Sequence, residues 1–283
     1  MMRIQDPTTL VLLDGQVLNA EQACLPASWP AVLRGEGIFE TFLVREQEPT
    51  PLLPWHDARF VHSARLTGFV AAPGDLARSF EALTPHLGSG AWRVRLSLLR
   101  GLGNQQHELW TVGPEPKPQQ EVVLQISEFR SDPLDPLASA KTISRIGWQV
   151  ARRRAQEAGA FEAILKTIDG DLAEGTSSNL FLWRQGVLST PGLDRGILGG
   201  VTRASLLEAC SQAGIPVEER SIAPEELLSA EEVYISNAVI GFVPATRIVG
   251  IREDFPGLQG PALPTLRAAH ASYLETLHGS SHC

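Results

Sequence analysis

The sequence predicts an α+β fold in two domains, on three observations. Short apolar strand patterns closed by tight turns recur along its 283 residues. Helical patterns lie irregularly among them, without the strict strand-helix alternation of a βαβ wind. Prolines cluster in one region: three fall between Gly113 and Gln120, and two more between Ser131 and Pro136. They bracket the apolar strand Val122 to Ile126 and mark the boundary between domains.

Taken in order, Leu10 to Leu13 reads as a strand running into the turn Asp14-Gly15. After a proline-bounded loop, Arg34-Gly35-Glu36-Gly37 leads into Ile38 to Val44, which alternates like a half-buried strand. A second strand is expected to end at Leu53, and a helix to start at His56 and carry Arg59, Phe60, Ser63 and Ala64. Asp75 to Leu87 has helical spacing, Ala91 to Arg100 alternates, and Arg100 to Asn104 is a loop. Beyond the prolines, Ile143 to Ala158 reads as helix and Phe161 to Ile168 as strand, with a tight turn at Asp169-Gly170. Leu180 to Trp183 and Val187 to Ser189 form a hairpin. Then follow helix Val201 to Ala213, strand Val217 to Glu219, short helix Pro224 to Leu228, strands Val233 to Ser236 and Phe242 to Val249, and helix Pro264 to Leu277.

Composition narrows the classes of function. A hydrophobic share of 43% is ample for real cores, and a formal charge of −8 argues against a nucleic-acid partner. The cluster Arg152-Arg153-Arg154 reads as a solvated helix face. With no long uncharged apolar run and no basic-then-apolar leader, neither a membrane span nor a signal peptide is expected, and a cytoplasmic location follows. Cys24, Cys210 and Cys283 are too scattered for a metal site, so buried or free thiols are expected.

The chemistry concentrates between Ala140 and Arg203. Only three lysines occur, Lys117, Lys141 and Lys166, against 21 arginines, and only an amine can condense with a carbonyl. Lys117 sits among prolines, and Lys166 has a solvent-facing strand position as its simplest reading. Lys141 follows the small residues Ala138-Ser139-Ala140 and can point into a cleft, a surface lysine being the alternative. Glu174, beside Gly175, is either solvated or the acceptor that keeps a pyridine nitrogen protonated. Gly199-Gly200-Val201-Thr202 opens a helix, offering backbone N–H groups and a hydroxyl to a phosphate. Arg59 could make a bidentate contact to that phosphate, or pair with Asp57 or Glu40. An amine, a carboxylate and an anion-binding helix start suit pyridoxal 5'-phosphate.

Four ordered stretches carry a resemblance: Arg34 to Thr41, His56 to Phe60, Ala173 to Phe181 and Gly196 to Arg203. Together they resemble the class IV (fold type IV) pyridoxal-phosphate enzymes, over roughly Leu10 to Pro244. The resemblance implies a small N-terminal α+β domain over 1–118, a linker with one strand over 119–137, and a larger C-terminal pseudo-barrel domain over 138–283. It also implies a cofactor cleft between domains and a homodimer. Lys141 fits the family's spacing to the Glu-Gly motif, some thirty residues, and Lys166 is too close. The cofactor-binding set is then Lys141, Arg59, Glu174, Val201, Thr202, Asn237 and Ala238, with Lys141 catalytic.

Within that family, Gly37 to Thr41 looks less like the branched-chain aminotransferases than like the lyase and D-amino-acid group, and Ser236 to Pro244 resembles the lyase version, with Asn237-Ala238 where transaminases commonly place a phosphate-binding threonine. Two departures point the other way. Lys141 to Arg145 lacks the His and Asn frequent after the lyase lysine, and Arg100 to Gln105 lacks a second arginine. The expectation is a 4-amino-4-deoxychorismate lyase binding a small amino substrate, with Arg100 on a substrate carboxylate. An aminotransferase is the alternative. A cofactor-free binding protein is disfavoured, because Lys141, Glu174 and Arg59 are all present.

Overall fold

The structure is a computed structural model and describes residues 10–280. Cys283 and the first nine residues, on which the expectation about a leader rested, lie outside that range. The described residues fall into two compact units, 10–117 with 140–144, and 118–139 with 145–280.

In the first unit, β1 (Leu10–Leu13), β2 (Gln16–Asn19), β3 (Gly37–Arg45), β4 (Glu48–Pro49), β5 (Ala91–Arg100) and β6 (Gln106–Pro114) form one sheet. Its order is β2-β1-β6-β5-β3-β4, antiparallel throughout. Period-two alternation divides its faces. Ile38, Phe42, Val44, Val94, Leu96 and Leu98 point into a core shared with Phe60, Ala64, Leu76 and Phe80. The last four lie on helices α2 (Leu53–Thr67) and α3 (Asp75–Leu83). Helix α1 (Pro30–Arg34) buries no residue, which is why apolar periodicity does not reveal it.

Two expectations are corrected here. No strand reaches Leu53: β4 stops at Pro49, and α2 starts at Leu53 because Pro54 suits the first turn of a helix. Strand β6 follows directly on the Arg100 to Asn104 loop and went unread, since its first residues Gln106-His107-Glu108 are polar and only Trp110 and Val112 are buried.

The second unit holds eight strands: β7 (Val122–Ser131), β8 (Glu162–Thr167), β9 (Leu172–Gly175), β10 (Asn179–Arg184), β11 (Val187–Pro191), β12 (Val217–Arg220), β13 (Glu232–Asn237) and β14 (Gly241–Val249). Their order is β12-β11-β10-β13-β14-β7-β8-β9, with β11–β12, β14–β7 and β7–β8 parallel. At one edge the Leu172 amide donates to the Ile222 carbonyl at 2.8 Å, just past β12 at the other edge, so the sheet curls toward closure.

Both faces of this sheet are covered. Leu180, Leu182 and Ile235 enter an inner cluster with Leu124, Ile164 and Val243. Phe181 and Tyr234, one residue out of phase, pack outward with Leu206 and Leu266. Those two leucines belong to α5 (Val201–Gln212) and α7 (Leu263–Ser280). Helix α4 (Ile146–Glu157) sets Ala151 and Ala155 against Ala163, Leu165 and Ala173, and α6 (Glu226–Ser229) supplies Leu227 to the inner cluster. The expected start of α4 at Ile143 is displaced to Ile146, because the chain from Ala140 to Ser144 pairs with the first unit instead. Cys24 is exposed and Cys210 buried, both unpaired, and burial pushes the Cys210 thiol up to about 11. No helix among the described residues is long and apolar enough to cross a membrane.

Candidate cofactor and substrate site

In the first unit, Lys141 is held by its backbone. Its carbonyl accepts from the Phe39 amide at 3.0 Å, and its own amide donates to Ser63 Oγ of α2 at 3.0 Å. Thr142 bridges Ile38, and the Ile143 amide donates to the Gly37 carbonyl at 2.9 Å. The lysine therefore rides on the edge of β3, where Nζ lies 4.6 Å from the centre of the Phe39 ring. The Arg95 guanidinium stacks on the same ring at 3.7 Å and donates through Nε to Ser97 Oγ at 3.2 Å. Two cations share one aromatic ring.

Arg59 reaches from α2 to Glu40 of β3 in a fork, with Nε to Oε1 at 2.7 Å and Nη2 to Oε2 at 2.7 Å. The sequence offered this pair as an alternative to phosphate binding. In the fold it is no surface pair, since Glu40 is fully buried. His56 Nδ1 lies 2.8 Å from Glu40 Oε2. Burial alone would raise the Glu40 pKa, but the Arg59 charge and the hydrogen bonds from Arg59 and His56 carry it well below the usual carboxylate range. Burial lowers the His56 pKa more than Glu40 raises it, so the ring is neutral and its Nδ1–H donates to the carboxylate. Asp57, the other partner the sequence offered, instead accepts from the Gly74 and Leu76 amides at the start of α3.

Arg100 lies at the end of β5. Its Nη2 donates to the Gly68 carbonyl at 2.8 Å and its Nη1 to the Asn104 carbonyl at 3.3 Å, while the guanidinium stacks 4.0 Å from the Phe69 ring centre.

In the second unit, Glu174 ends β9, buried, and its Oε2 accepts from the Leu198 amide at 3.0 Å. Asn179 Nδ2 faces the same oxygen at 3.5 Å and donates to the Leu198 carbonyl at 2.9 Å. The carboxylate is thus tied to the segment that enters α5. A methyl group at Gly200 would strike the Asn179 amide oxygen, so the glycine at this N-cap is required by close approach. Val201 and Thr202 form the first turn, which carries no acidic residue, and its N–H groups and the Thr202 hydroxyl are suited to an anion. At the end of β13, Asn237 Oδ1 accepts from the Val239 and Ile240 amides at 2.8 and 2.9 Å, closing a turn around Ala238. Its Nδ2 donates to the Ser177 carbonyl at 3.1 Å.

Sequence reasoning missed two groups beside these residues, Arg95 and Glu162. The Glu162 side chain is fully buried beneath the turn that follows Glu174. Its Oε1 accepts from the Ala163 amide at 3.0 Å, the Thr176 amide at 3.2 Å and the Thr176 hydroxyl. Its Oε2 accepts from the Ser177 amide at 3.2 Å, the Ser177 hydroxyl at 2.7 Å and the Ser178 hydroxyl at 3.2 Å. Gly175 is needed because a Cβ there would collide with the Ser178 hydroxyl and press on Glu162 Cγ at 3.1 Å. The available signal was an acid inside the apolar run Ala160 to Leu165, with three consecutive hydroxyl residues fourteen to sixteen positions on.

Lys166 is half-buried in β8, where it pairs with Arg130 of β7, and Lys117 is exposed, so neither is held as Lys141 is. Within the second unit, a buried carboxylate tied to a helix N-terminus suits the ring nitrogen and phosphate of pyridoxal 5'-phosphate, and within the first, the backbone-anchored Lys141 is an amine of the kind its aldehyde needs. Among the described residues no group of three or more His, Cys, Asp or Glu could hold a metal ion.

The family model for class IV aminotransferases matches residues 37–248, and the chain belongs to that family. The family to which the sequence belongs establishes a pyridoxal-phosphate enzyme. It is 29% identical to the aminodeoxychorismate lyase of Bacillus subtilis (strain 168), over 95% of this chain and 96% of that one. It is 34% identical to the D-alanine aminotransferase of Bacillus licheniformis, over only 55% of each chain. The branched-chain aminotransferase of Thermoproteus uzoniensis, solved with norvaline, superimposes with a TM-score of 0.83 at 24% identity, covering 95% of both chains, and shares the fold.

Proposed function

We propose that this enzyme is a lyase acting on 4-amino-4-deoxychorismate, releasing pyruvate and leaving 4-aminobenzoate, an aromatic precursor in folate biosynthesis. The observation that carries the reading is the end-to-end match to the Bacillus subtilis lyase, against a match to little more than half of the D-alanine aminotransferase. The Asn237-Ala238 turn adds support, since its cap is an amide where a transaminase would offer a threonine hydroxyl.

When bound, the cofactor supplies an electron sink that makes the C–H beside the substrate nitrogen acidic. Lys141 would hold the cofactor aldehyde and would serve as the base that takes the proton from the carbon bearing the substrate nitrogen. Elimination of the enolpyruvyl group is driven by aromatisation, and the Lys141 ammonium returns a proton to its methylene carbon. Glu174 would accept the ring N–H and keep that nitrogen protonated. The first turn of α5 with Val201 and Thr202, the Asn237-Ala238 turn and Arg59, whose Nε and Nη2 are engaged by Glu40, would hold the phosphate. The substrate carries two carboxylates. Arg95 is already stacked beside Lys141 and suits one of them, and Arg100 is the candidate for the other.

An aminotransferase acting on D-amino or branched-chain amino acids is the second reading, favoured by the higher identity within the shorter D-alanine aminotransferase match. One assay separates the two. Purified protein is incubated with 4-amino-4-deoxychorismate, and separately with L- and D-amino acids plus 2-oxoglutarate. Formation of 4-aminobenzoate at ordinary enzyme rates supports the lyase, whereas glutamate formation without 4-aminobenzoate replaces it with the aminotransferase. A homodimer in the cytoplasm goes with either activity, and light scattering should return twice the 30.7 kDa chain mass.

A further inference from the structure

Glu162 is a fully buried acid that six donors surround. Five of those donors belong to Thr176, Ser177 and Ser178, the three residues directly after the Glu174-Gly175 pair. A surface turn of hydroxyl residues would ordinarily bond to water and move with it. Here the carboxylate draws the turn inward on both oxygens and fixes its path.

The outside of the same turn is gripped by other elements. Arg145 Nη2 donates to the Thr176 carbonyl at 3.0 Å, and Arg152 Nη1 donates to Ser177 Oγ at 2.7 Å. Asn237 Nδ2 donates to the Ser177 carbonyl, which joins this turn to the one around Ala238. Glu162 thereby connects, through Ser177 alone, to a turn read above as part of the phosphate site.

We propose that Glu162 is a positioning residue of the cofactor site: it sets the Thr176–Ser178 turn, and through Ser177 and Asn237 it sets the phosphate-binding turn at Ala238. The inference rests on the reading of the Asn237-Ala238 turn as a phosphate contact. Loss of the Glu162 charge weakens donors on both oxygens while leaving the side-chain volume in place.

The test compares cofactor-free wild-type protein with Glu162→Gln, Ser177→Ala and Asn237→Ala. Each is titrated with pyridoxal 5'-phosphate and, separately, with pyridoxal, which lacks the phosphate, following quenching of tryptophan fluorescence. The readout is the ratio of the two affinities, which a general loss of folded protein does not move. Glu162→Gln should lower that ratio about tenfold or more, as expected when charge-assisted hydrogen bonds are lost, and Ser177→Ala should lower it less. A wild-type ratio in Glu162→Gln, or an equal loss of affinity for both ligands, overturns the proposal. Should Glu162→Gln fail to fold, Ser177→Ala decides: a lowered ratio supports the proposal and an unchanged one overturns it. Asn237→Ala separates the proposal from the reading beneath it. A lowered ratio there beside a wild-type ratio in Glu162→Gln sinks the inference alone, and wild-type ratios in both sink the reading as well.

Discussion

The two units bury an acid near their functional residues and satisfy it in opposite ways. In the first, Glu40 meets a guanidinium and an imidazole, and the candidate residues of that unit, Lys141, Arg95, Arg59 and Arg100, are all cations. In the second, Glu162 meets only amides and hydroxyls of its own neighbourhood, and Glu174 is likewise tied to the Leu198 amide. One half of the chemistry is arranged by charge against charge, the other by neutral dipoles around a carboxylate. The difference matters when a partner is removed. A buried ion pair broken on one side leaves a bare charge, whereas a dipolar cradle loses hydrogen bonds one at a time.

That contrast can be broken most directly at Glu40. Glu40→Ala takes the carboxylate from an Arg59 side chain that is only 11% exposed, and should cost about 3–5 kcal/mol of stability. Glu162→Gln should cost about 1–3 kcal/mol, since the same volume and one acceptor remain. Urea unfolding of the two variants checks the order, and an equal or reversed cost would remove the distinction drawn here.

Glu174→Gln probes the dipolar half during catalysis. Cofactor binding should survive, while the proton-abstraction step slows by about 10²-fold, near 3 kcal/mol of charge stabilisation. Substrate deuterium effects under single turnover isolate that step, and near-normal turnover would contradict the role.

The cationic half is sharpened by Arg95→Ala and Arg100→Ala. A substrate carboxylate left unpaired should cost about 2–4 kcal/mol in kcat/KM for the variant that removes its partner. The Arg95 guanidinium stacks on the same ring that Lys141 Nζ approaches, while that of Arg100 stacks on Phe69, so the larger loss is expected at Arg95. Steady-state kinetics of both variants measure the difference, and a larger loss at Arg100 would return the principal contact to that loop.

Acid sharpens the comparison by the smallest margin. His56 in the unfolded chain takes a proton near 6.5 that the buried ring resists, so stability begins to fall as pH drops below about 6.5. Glu40, whose folded pKa lies below its ordinary 4.5, contributes stability that is present above 4.5 and is lost as pH falls through the folded value. His270 of α7, which burial pushes down, adds its own loss below 6.5 in the second unit. The carboxylate range is therefore the discriminating one. Below pH 4.5, the urea midpoint of Glu40→Gln should fall less steeply than that of the wild type, and parallel slopes would show that the pair contributes little there.

Legibility in the sequence followed the range of the interactions involved. The β3, β5 and α5 patterns could be read because burial imposes a local period on each, and Lys141 stood out because so few amines compete with it. What holds Lys141 could not be read: its segment pairs with Ile38 and Phe39, about a hundred residues earlier, and local spacing suggested the start of a helix. Arg95 sits in a strand pattern in which every other residue is expected to face water, so its stack on Phe39 was invisible. Glu162 looked like a tolerated charge, since its partners are distant and individually unremarkable. Arg59 was legible as important, but only the fold reveals that Glu40, and not Asp57, takes its fork.

The short segment Ala140–Ser144 belongs by its contacts to the first unit, although the chain on either side of it belongs to the second. With its carbonyl, its amide and the next two residues all bonded to β3 or α2, Lys141 is rooted in the first unit. Slow amide exchange at Lys141 and Ile143 should accompany that of the central strands of the first unit. Mild denaturant that loosens this unit would then let the amine drift before the strands around Glu174 open, so inactivation should run ahead of the loss of most secondary structure.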